Sequence, residues 1–236
     1  RLQVAAQDTV GIDVAEQLVG GQQRMQFPLI EPQARELVPI TAPILAWLHA
    51  AAEDFVSAVA ADITVGITSD AKLEAVALAG SLASAPARVH LKVDTGLSRN
   101  GFAPAEWPSI FARAVELQAA GHIVVEGIFS HLSSTGEAED LAQIARFDAA
   151  VEQAREFGIK FELRHLTASD GSLNYPQAHY EMVRVGVALY GLSPFTDHHS
   201  KEYGLRPAMT ATAYVTQVKR VPAGEGVSYG YMHRTK

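Results

Sequence analysis

The 236-residue sequence contains no cysteine, which excludes a disulfide scaffold, a cysteine nucleophile and any thiolate metal site. No apolar run approaches the roughly 20 residues needed to cross a bilayer, and the N-terminus lacks a charged-then-apolar leader pattern. No basic run offsets the formal charge of −7, so a phosphate backbone is not an expected partner. The nine histidines show no HExxH-type spacing, so no metal centre is expected; His198 and His199, in "PFTDHHSKEYG", lie in a polar loop suited to solvated or contact roles. No lysine precedes Lys72, and the chain opens on Arg1 rather than Met. These properties point to a soluble, cytoplasmic protein without nucleic-acid or membrane partners.

The sequence does contain enough apolar residues, 48% of the chain, to build a sizeable core. Short β-branched or apolar runs alternate with helix-like stretches, the pattern of a parallel sheet with crossover helices. The candidate strands are "LQVAA", "MQFPLI" (25–30), "PILAWL" (43–48), "DITVGIT" (62–68), "VHLKVD" (89–94), "IVVEGIFS" (123–130), "IKFELRHL" (159–166) and "MVRVGVALYG" (182–191). In "APAEWPSIFARAVELQAAG", Trp107, Phe111 and Val115 recur at i, i+4 and i+8, with Ile110, Ala114 and Leu117 beside them and Gly121 as a stop. "DLAQIARFDAAVEQAREFG" repeats this pattern and ends at Gly158.

After Gly191 the rhythm changes. A turn-rich link precedes "AMTATAYVTQVKRVPAGEGVSYG", which alternates Thr, Tyr and Val without a helical period. The expectation is an α/β protein: a (β/α)8 barrel of the TIM type over 1–192, followed by the start of a C-terminal β domain over 200–236.

Barrel enzymes collect their chemistry at the C-terminal ends of the strands. Alternation in "VHLKVD" puts His90, Lys92 and Asp94 on one face and Val89, Leu91 and Val93 on the other. If the polar face points inward, a buried Lys92 ammonium is costly unless it is paired or neutralised; otherwise it is an outer-edge lysine in solvent. Arg99 follows a turn built from Asp94, Thr95 and Gly96, where its fork can reach an oxygen at the barrel mouth or lie on the surface. His131 and Ser169 are polar residues at strand ends, open to a turn-capping or a functional role. Arg184 interrupts an apolar run and needs partners to offset its desolvation. Beside it Gly186 can offer a bare N–H to an anion, and with Ser169 it suggests a phosphate seat near the last strands. The residues alone indicate a barrel enzyme with a phosphorylated ligand and a basic, aromatic mouth.

Three stretches, "HLKVDTGLSRNGF", "MVRVGVALYGLSP" and "AGEGVSYG", together resemble bacterial alanine racemase, whose fold is shared with ornithine and diaminopimelate decarboxylases. "PITAPILAWLH" and "EGIFSHLS" fit the same family. The resemblance implies pyridoxal 5′-phosphate as cofactor, interconversion of L- and D-alanine for cell-wall peptide, and a homodimer with active sites shared between subunits. It assigns Lys92 as a site of carbamylation pairing with Arg99, which also touches the cofactor's phenolic oxygen. His131 is assigned beside the pyridine ring, hydrogen-bonded to Arg184, and Arg184 opposite the pyridine nitrogen. Arg184, being cationic, would keep that nitrogen unprotonated and favour reprotonation over transamination. Ser169 and the backbone of Gly186 and Val187 match phosphate contacts. Tyr229 matches an acid/base group that reaches in from the second subunit; unperturbed it titrates near 10, so it needs positive charge nearby to act as a base.

The sequence departs from the family in one central feature. The family's first-strand lysine, which holds the cofactor and serves as the opposite-face base, has Gln3 at its ungapped position, and Gln7 stands at the motif's tyrosine. The expectation is that the first dozen residues are not those of the natural gene; the alternatives are a lysine-free homologue and a substitute lysine, with Lys92 as the candidate. Ala168 stands where Asn is frequent, and "SSTGEAED" replaces the usual residues after the histidine. A non-catalytic carrier of the cofactor and a broad-specificity amino-acid racemase are the rival functions.

Overall fold

The computed structural model describes residues 3–4, 42–49 and 53–236. Two compact units divide the chain, Arg1–Arg206 and Pro207–Lys236.

The first unit carries strands β1 (Gln3–Val4), β2 (Ile44–Ala46), β3 (Ile63–Ile67), β4 (Ala87–Lys92), β5 (Ile123–Phe129), β6 (Leu163–His165) and β7 (Met182–Val183). Helices α1 (Phe55–Ala60), α2 (Asp70–Ala83), α3 (Trp107–Ala119), α4 (Glu137–Glu156) and α5 (Ser169–Asn174) are interleaved with them. Strands β2 to β6 pair in parallel and in chain order, and β1 pairs in parallel with β7. Parallel neighbours need crossover connections, and helices supply them between β3 and β6. The arrangement is that of a partial (β/α)8 barrel. Each of these strands overlaps a run expected from the sequence, β4 starting two residues earlier than "VHLKVD", whereas "MQFPLI" lies outside the described residues.

Local chemistry sets the helix ends. Asp54 and Ser69 accept hydrogen bonds from the backbone N–H groups of Ser57 and Lys72, capping α1 and α2. On α3, Trp107, Ile110, Phe111, Ala114 and Leu117 are buried and Val115 is half-buried against the same core. Each large side chain so buried contributes about 1.5–3 kcal/mol relative to leaving it in water. Helix α4 packs Ile144, Phe147, Ala150, Val151 and Ala154 inward, and Gly158 adopts a positive φ of 90° as the chain turns back towards the sheet.

Strand β4 shows how the sheet sorts its two faces. Val89, Leu91 and Val93 join the apolar core, while His90 and Lys92 are buried on the other side. A register shift against β5 falls between Val89 and His90. Beyond the strand, Asp94 accepts from the N–H groups of Gly96 (2.9 Å) and Ser98 (3.1 Å), folding the turn that carries Arg99.

Two expectations are corrected. The run "MVRVGVALYG" is a strand only at Met182–Val183, and Val187–Tyr190 is a 3₁₀ turn. Gly186, at φ −114° and ψ −91°, leaves the extended region, and its N–H bonds to a side chain rather than to a neighbouring strand. The second unit is also less sheet-like than its alternation suggests. Its strands are a short antiparallel pair, β8 (Gly226–Val227) and β9 (His233–Arg234), and residues 208–222 form no strand. Alternating side chains favour a strand only where another strand completes the hydrogen-bond ladder.

Candidate functional site

The C-terminal ends of β5 and β6 bring hydrogen-bond acceptors from two distant parts of the sequence to Arg184. Its Nη1 donates to Nδ1 of His165 at 2.5 Å. Its Nη2 donates to the carbonyls of Ser130 (2.6 Å) and Leu166 (3.0 Å) and to Nδ1 of His131 (3.0 Å). All four acceptors are neutral groups. Burial, with the nearby charge of Arg99, draws the Arg184 guanidinium down to about 9, so it remains a cation at neutral pH. Its central carbon lies 5.5 Å from the centroid of the Phe129 ring and 5.9 Å from that of Trp47, within cation–π range.

Lys92 sits on the same side of the sheet. Its Nζ bonds to Oδ1 of Asn100 and lies 5.7 Å from the Phe129 centroid. Burial, then Arg99 and Arg184, lower the ammonium to about 8, with Asp94 opposing the shift. Gly101 makes this close turn possible: it has φ +105°, and a Cβ there would lie 3.1 Å from Cγ of Lys92. Arg99 itself is exposed. Burial and the charges of Arg184, Arg99 and Lys92 push His131 down to about 3. Cationic groups therefore crowd a region whose hydrogen-bond partners are neutral, an electrostatic setting suited to an anionic ligand.

A cavity of about 1000 Å³ opens beside Arg184, lined among others by Trp47, His131, Ser169, Arg184, Gly186 and Val187. Ser169, at the start of α5, is buried, and its Oγ accepts from the N–H groups of Gly186 (3.0 Å) and Ala188 (3.3 Å). Two backbone donors thus converge on one oxygen at the cavity wall, which fixes the Ser169 hydroxyl there with its own hydrogen left to donate to an anion. Val187 lies between them on the lining.

Tyr229 belongs to the second unit, in a 3₁₀ turn over Tyr229–Tyr231, with its side chain 99% exposed. The described residues lining the cavity beside Arg184 include no lysine, and Gln3 stands on β1 in register with Met182. His198 bonds Nδ1 to Glu202 at 2.9 Å and packs near Phe195 and Tyr203, a contact role within its loop.

Several site residues were not singled out by sequence reasoning. Trp47, one of two tryptophans in the chain, carries no signal in the sequence beyond its place in an apolar run. His165 is fully buried; its signal was a titratable residue near the end of a strand, the same signal that marked His131. Asp140 and Tyr175, bonded to each other at 3.1 Å, complete another part of the lining; Asp140 lies on a helix face, where its burial leaves no periodic trace.

Residues 12–194 match the family model described as alanine racemase, N-terminal domain. An alanine racemase of Salinispora arenicola is 44% identical over 200 residues, covering 84% of this chain and 53% of that protein. One from Mycolicibacterium smegmatis is 43% identical, covering 81% and 50%. Among solved structures, the alanine racemase from D-cycloserine-producing Streptomyces lavendulae aligns with a TM-score of 0.77 at 38% identity, covering 83% of this chain and 52% of that one. The Streptomyces coelicolor enzyme aligns at 0.76 and 37%, covering 82% and 52%. The chain spans about half the length of the curated relatives it matches.

Proposed function

This chain belongs to the alanine racemase family, and we propose that it is the cofactor-binding barrel, with the beginning of the following domain, of a pyridoxal-phosphate-dependent enzyme that interconverts L- and D-alanine. The observation that carries the reading is the pair of N–H groups from Gly186 and Ala188 converging on Ser169 Oγ in the same cavity as the cation Arg184. These residues fit the cofactor. The Ser169 hydroxyl, which accepts from the amide pair and keeps its own hydrogen to donate, would hold its phosphate, and Trp47 and His131 would flank its ring. Arg184 would meet the ring nitrogen as a hydrogen-bond donor that does not give up its proton to it.

When bound, the cofactor supplies an electron sink that acidifies the Cα proton of an amino acid. The chain's own groups keep that sink weak. Arg184 would offer the ring nitrogen a hydrogen bond without protonating it, and His131 would stay neutral beside it. A donor that keeps its proton would favour return of the proton to Cα over other fates. Tyr229, in a second copy of the chain, would carry a proton on one face of Cα. Arg99 and a carbamylated Lys92 would form an ion pair at the cofactor's phenolic oxygen, which would remove the cost of burying the Lys92 ammonium. The substrate is alanine, its D form serving cell-wall peptide.

A second reading, a non-catalytic carrier of the cofactor, is favoured by Gln3 on β1, since an amide can neither attach the cofactor covalently nor serve as the opposite-face base. One experiment addresses both. Pyridoxal 5′-phosphate is titrated into the purified chain while tryptophan fluorescence is followed, with Trp107→Phe isolating the Trp47 signal, then borohydride is added and lysine labelling mapped by mass spectrometry. Saturable quenching that is weakened by Ser169→Ala supports the cofactor site. A label on Lys92 would assign it the attachment role, and absence of any label with the cofactor bound favours the carrier. Absence of saturable binding removes both readings.

A further inference from the structure

Among the described residues no carboxylate bonds to Arg184; its acceptors are two imidazoles and two backbone carbonyls. Behind it stands a line of two imidazoles whose hydrogen bonds have a single consistent direction. Arginine only donates, so Nδ1 of His165, 2.5 Å from Nη1, must be the bare nitrogen of a neutral ring. The proton of His165 is then on Nε2, which lies 2.8 Å from Nδ1 of His90, so His90 must accept and carry its own proton on Nε2. Both rings are buried, and neither becomes cationic at neutral pH: burial and Arg184 hold His90 down to about 3 and His165 well below its usual range.

The surrounding backbone is shaped for this line. His90 follows the register shift in β4 and faces Gly127 on β5, where a Cβ would come within 2.7 Å of its Nδ1 and 2.8 Å of its Cε1. His165 is stacked on Phe129, with centroids 4.6 Å apart and planes 13° from parallel. Phe129 also lies under the Arg184 guanidinium, so one aromatic plate fixes both His165 and the group it braces.

We propose that His90 and His165 are positioning residues: a neutral two-imidazole brace, locked in the Nε2–H tautomers, that sets the orientation of Arg184 at the cavity wall. The brace gives Arg184 an acceptor that brings no negative charge. A carboxylate in the same place would pair with the guanidinium and blunt its field towards a ligand. The consequence for the cofactor rests on the reading of the cavity as a pyridoxal-phosphate site; the brace itself does not.

The test is nitrogen NMR on the full chain labelled at histidine and arginine, without cofactor. Bare Nδ1 and protonated Nε2 at both His90 and His165 are expected at pH 7, together with distinct, slowly exchanging Nη signals of Arg184. In His165→Phe, which keeps a flat ring on Phe129, the Arg184 Nη signals should merge. His165→Asn, which returns an acceptor near the Nδ1 position, should separate them again, and His165→Gln, whose oxygen reaches the Nε2 position instead, should not. A proton on Nδ1 of either ring, an imidazolium at either position, or Nη signals indifferent to His165→Phe would overturn the proposal. If His165→Phe does not fold, the Asn and Gln pair still decides it, because equal spectra for the two would contradict a brace acting through Nδ1. With pyridoxal 5′-phosphate added, affinity should fall about tenfold or more when the acceptor is lost and recover in His165→Asn. Failure of the parent chain to bind the cofactor would remove the proposed function and leave the tautomer result standing.

Discussion

The Cβ that Gly127 lacks would lie 2.7 Å from Nδ1 of His90 and 2.8 Å from the carbonyl oxygen of Leu163. Glycine at this position is therefore a matter of space: the strand omits a side chain so that a buried imidazole can fill the barrel interior. Gly127→Ala is expected to cost about 1–3 kcal/mol through overpacking, measured by chemical denaturation, with the His90 ring signals shifted. An unchanged midpoint would show that the ring and strand relax without strain.

Stability should fall as pH drops below about 6.5. Folded His90 and His131 titrate at about 3 and His165 well below its usual value, whereas unfolded histidines take up protons near 6.5. The unfolded state then binds more protons between these limits, so stability rises with pH across the window and is lost on acidification, by at most about 1.4 kcal/mol per pH unit for each histidine. Denaturation midpoints from pH 7 to pH 4 check this, and a flat profile would show that the rings are charged in the folded chain.

The lowered Lys92, at about 8, keeps a fraction of neutral amine at physiological pH, and the neutral amine is the form that attacks carbon dioxide, losing a proton as the carbamate forms. Labelled bicarbonate should give a carbamate carbon signal at pH 8 that is absent in Lys92→Met. If no such signal arises, the proposed pairing of Lys92 with Arg99 through a carbamate is wrong.

Ser169→Ala removes the oxygen on which the Gly186 and Ala188 N–H groups converge. Affinity for pyridoxal 5′-phosphate should drop by about tenfold, the equivalent of one charge-assisted hydrogen bond, with affinity for non-phosphorylated pyridoxal little altered. Equal losses for both ligands would place the phosphate elsewhere.

Tyr229 is 99% exposed, so Tyr229→Phe should leave both folding stability and cofactor affinity at their parent values. In an assembled, racemising dimer the same change is expected to slow proton exchange at Cα of alanine by orders of magnitude. Undiminished exchange into deuterated water would withdraw Tyr229 from the reaction.

Much of the framework was legible in the sequence because its signals are local. The i, i+4 spacing of Trp107 and Phe111 marked the buried face of α3, and alternation in "VHLKVD" placed Lys92 opposite Leu91 across the strand. Arg184 stood out as a charge in an apolar run. The limits were equally physical. Alternation overstated β structure in residues 208–222, which form no strand, and it missed the turn at Gly186, where a side-chain acceptor redirects the backbone.

The sequence by itself determined the strand and helix periods, the faces turned towards the core and the residues too polar to be buried without partners. Only the tertiary structure decided who those partners are. Arg184 is braced by His165, 19 positions away, and His165 by His90, a further 75 away. No spacing in the chain encodes that contact, because it arises only when the sheet brings inward-facing side chains of β4 and β6 together across Gly127 of the intervening β5.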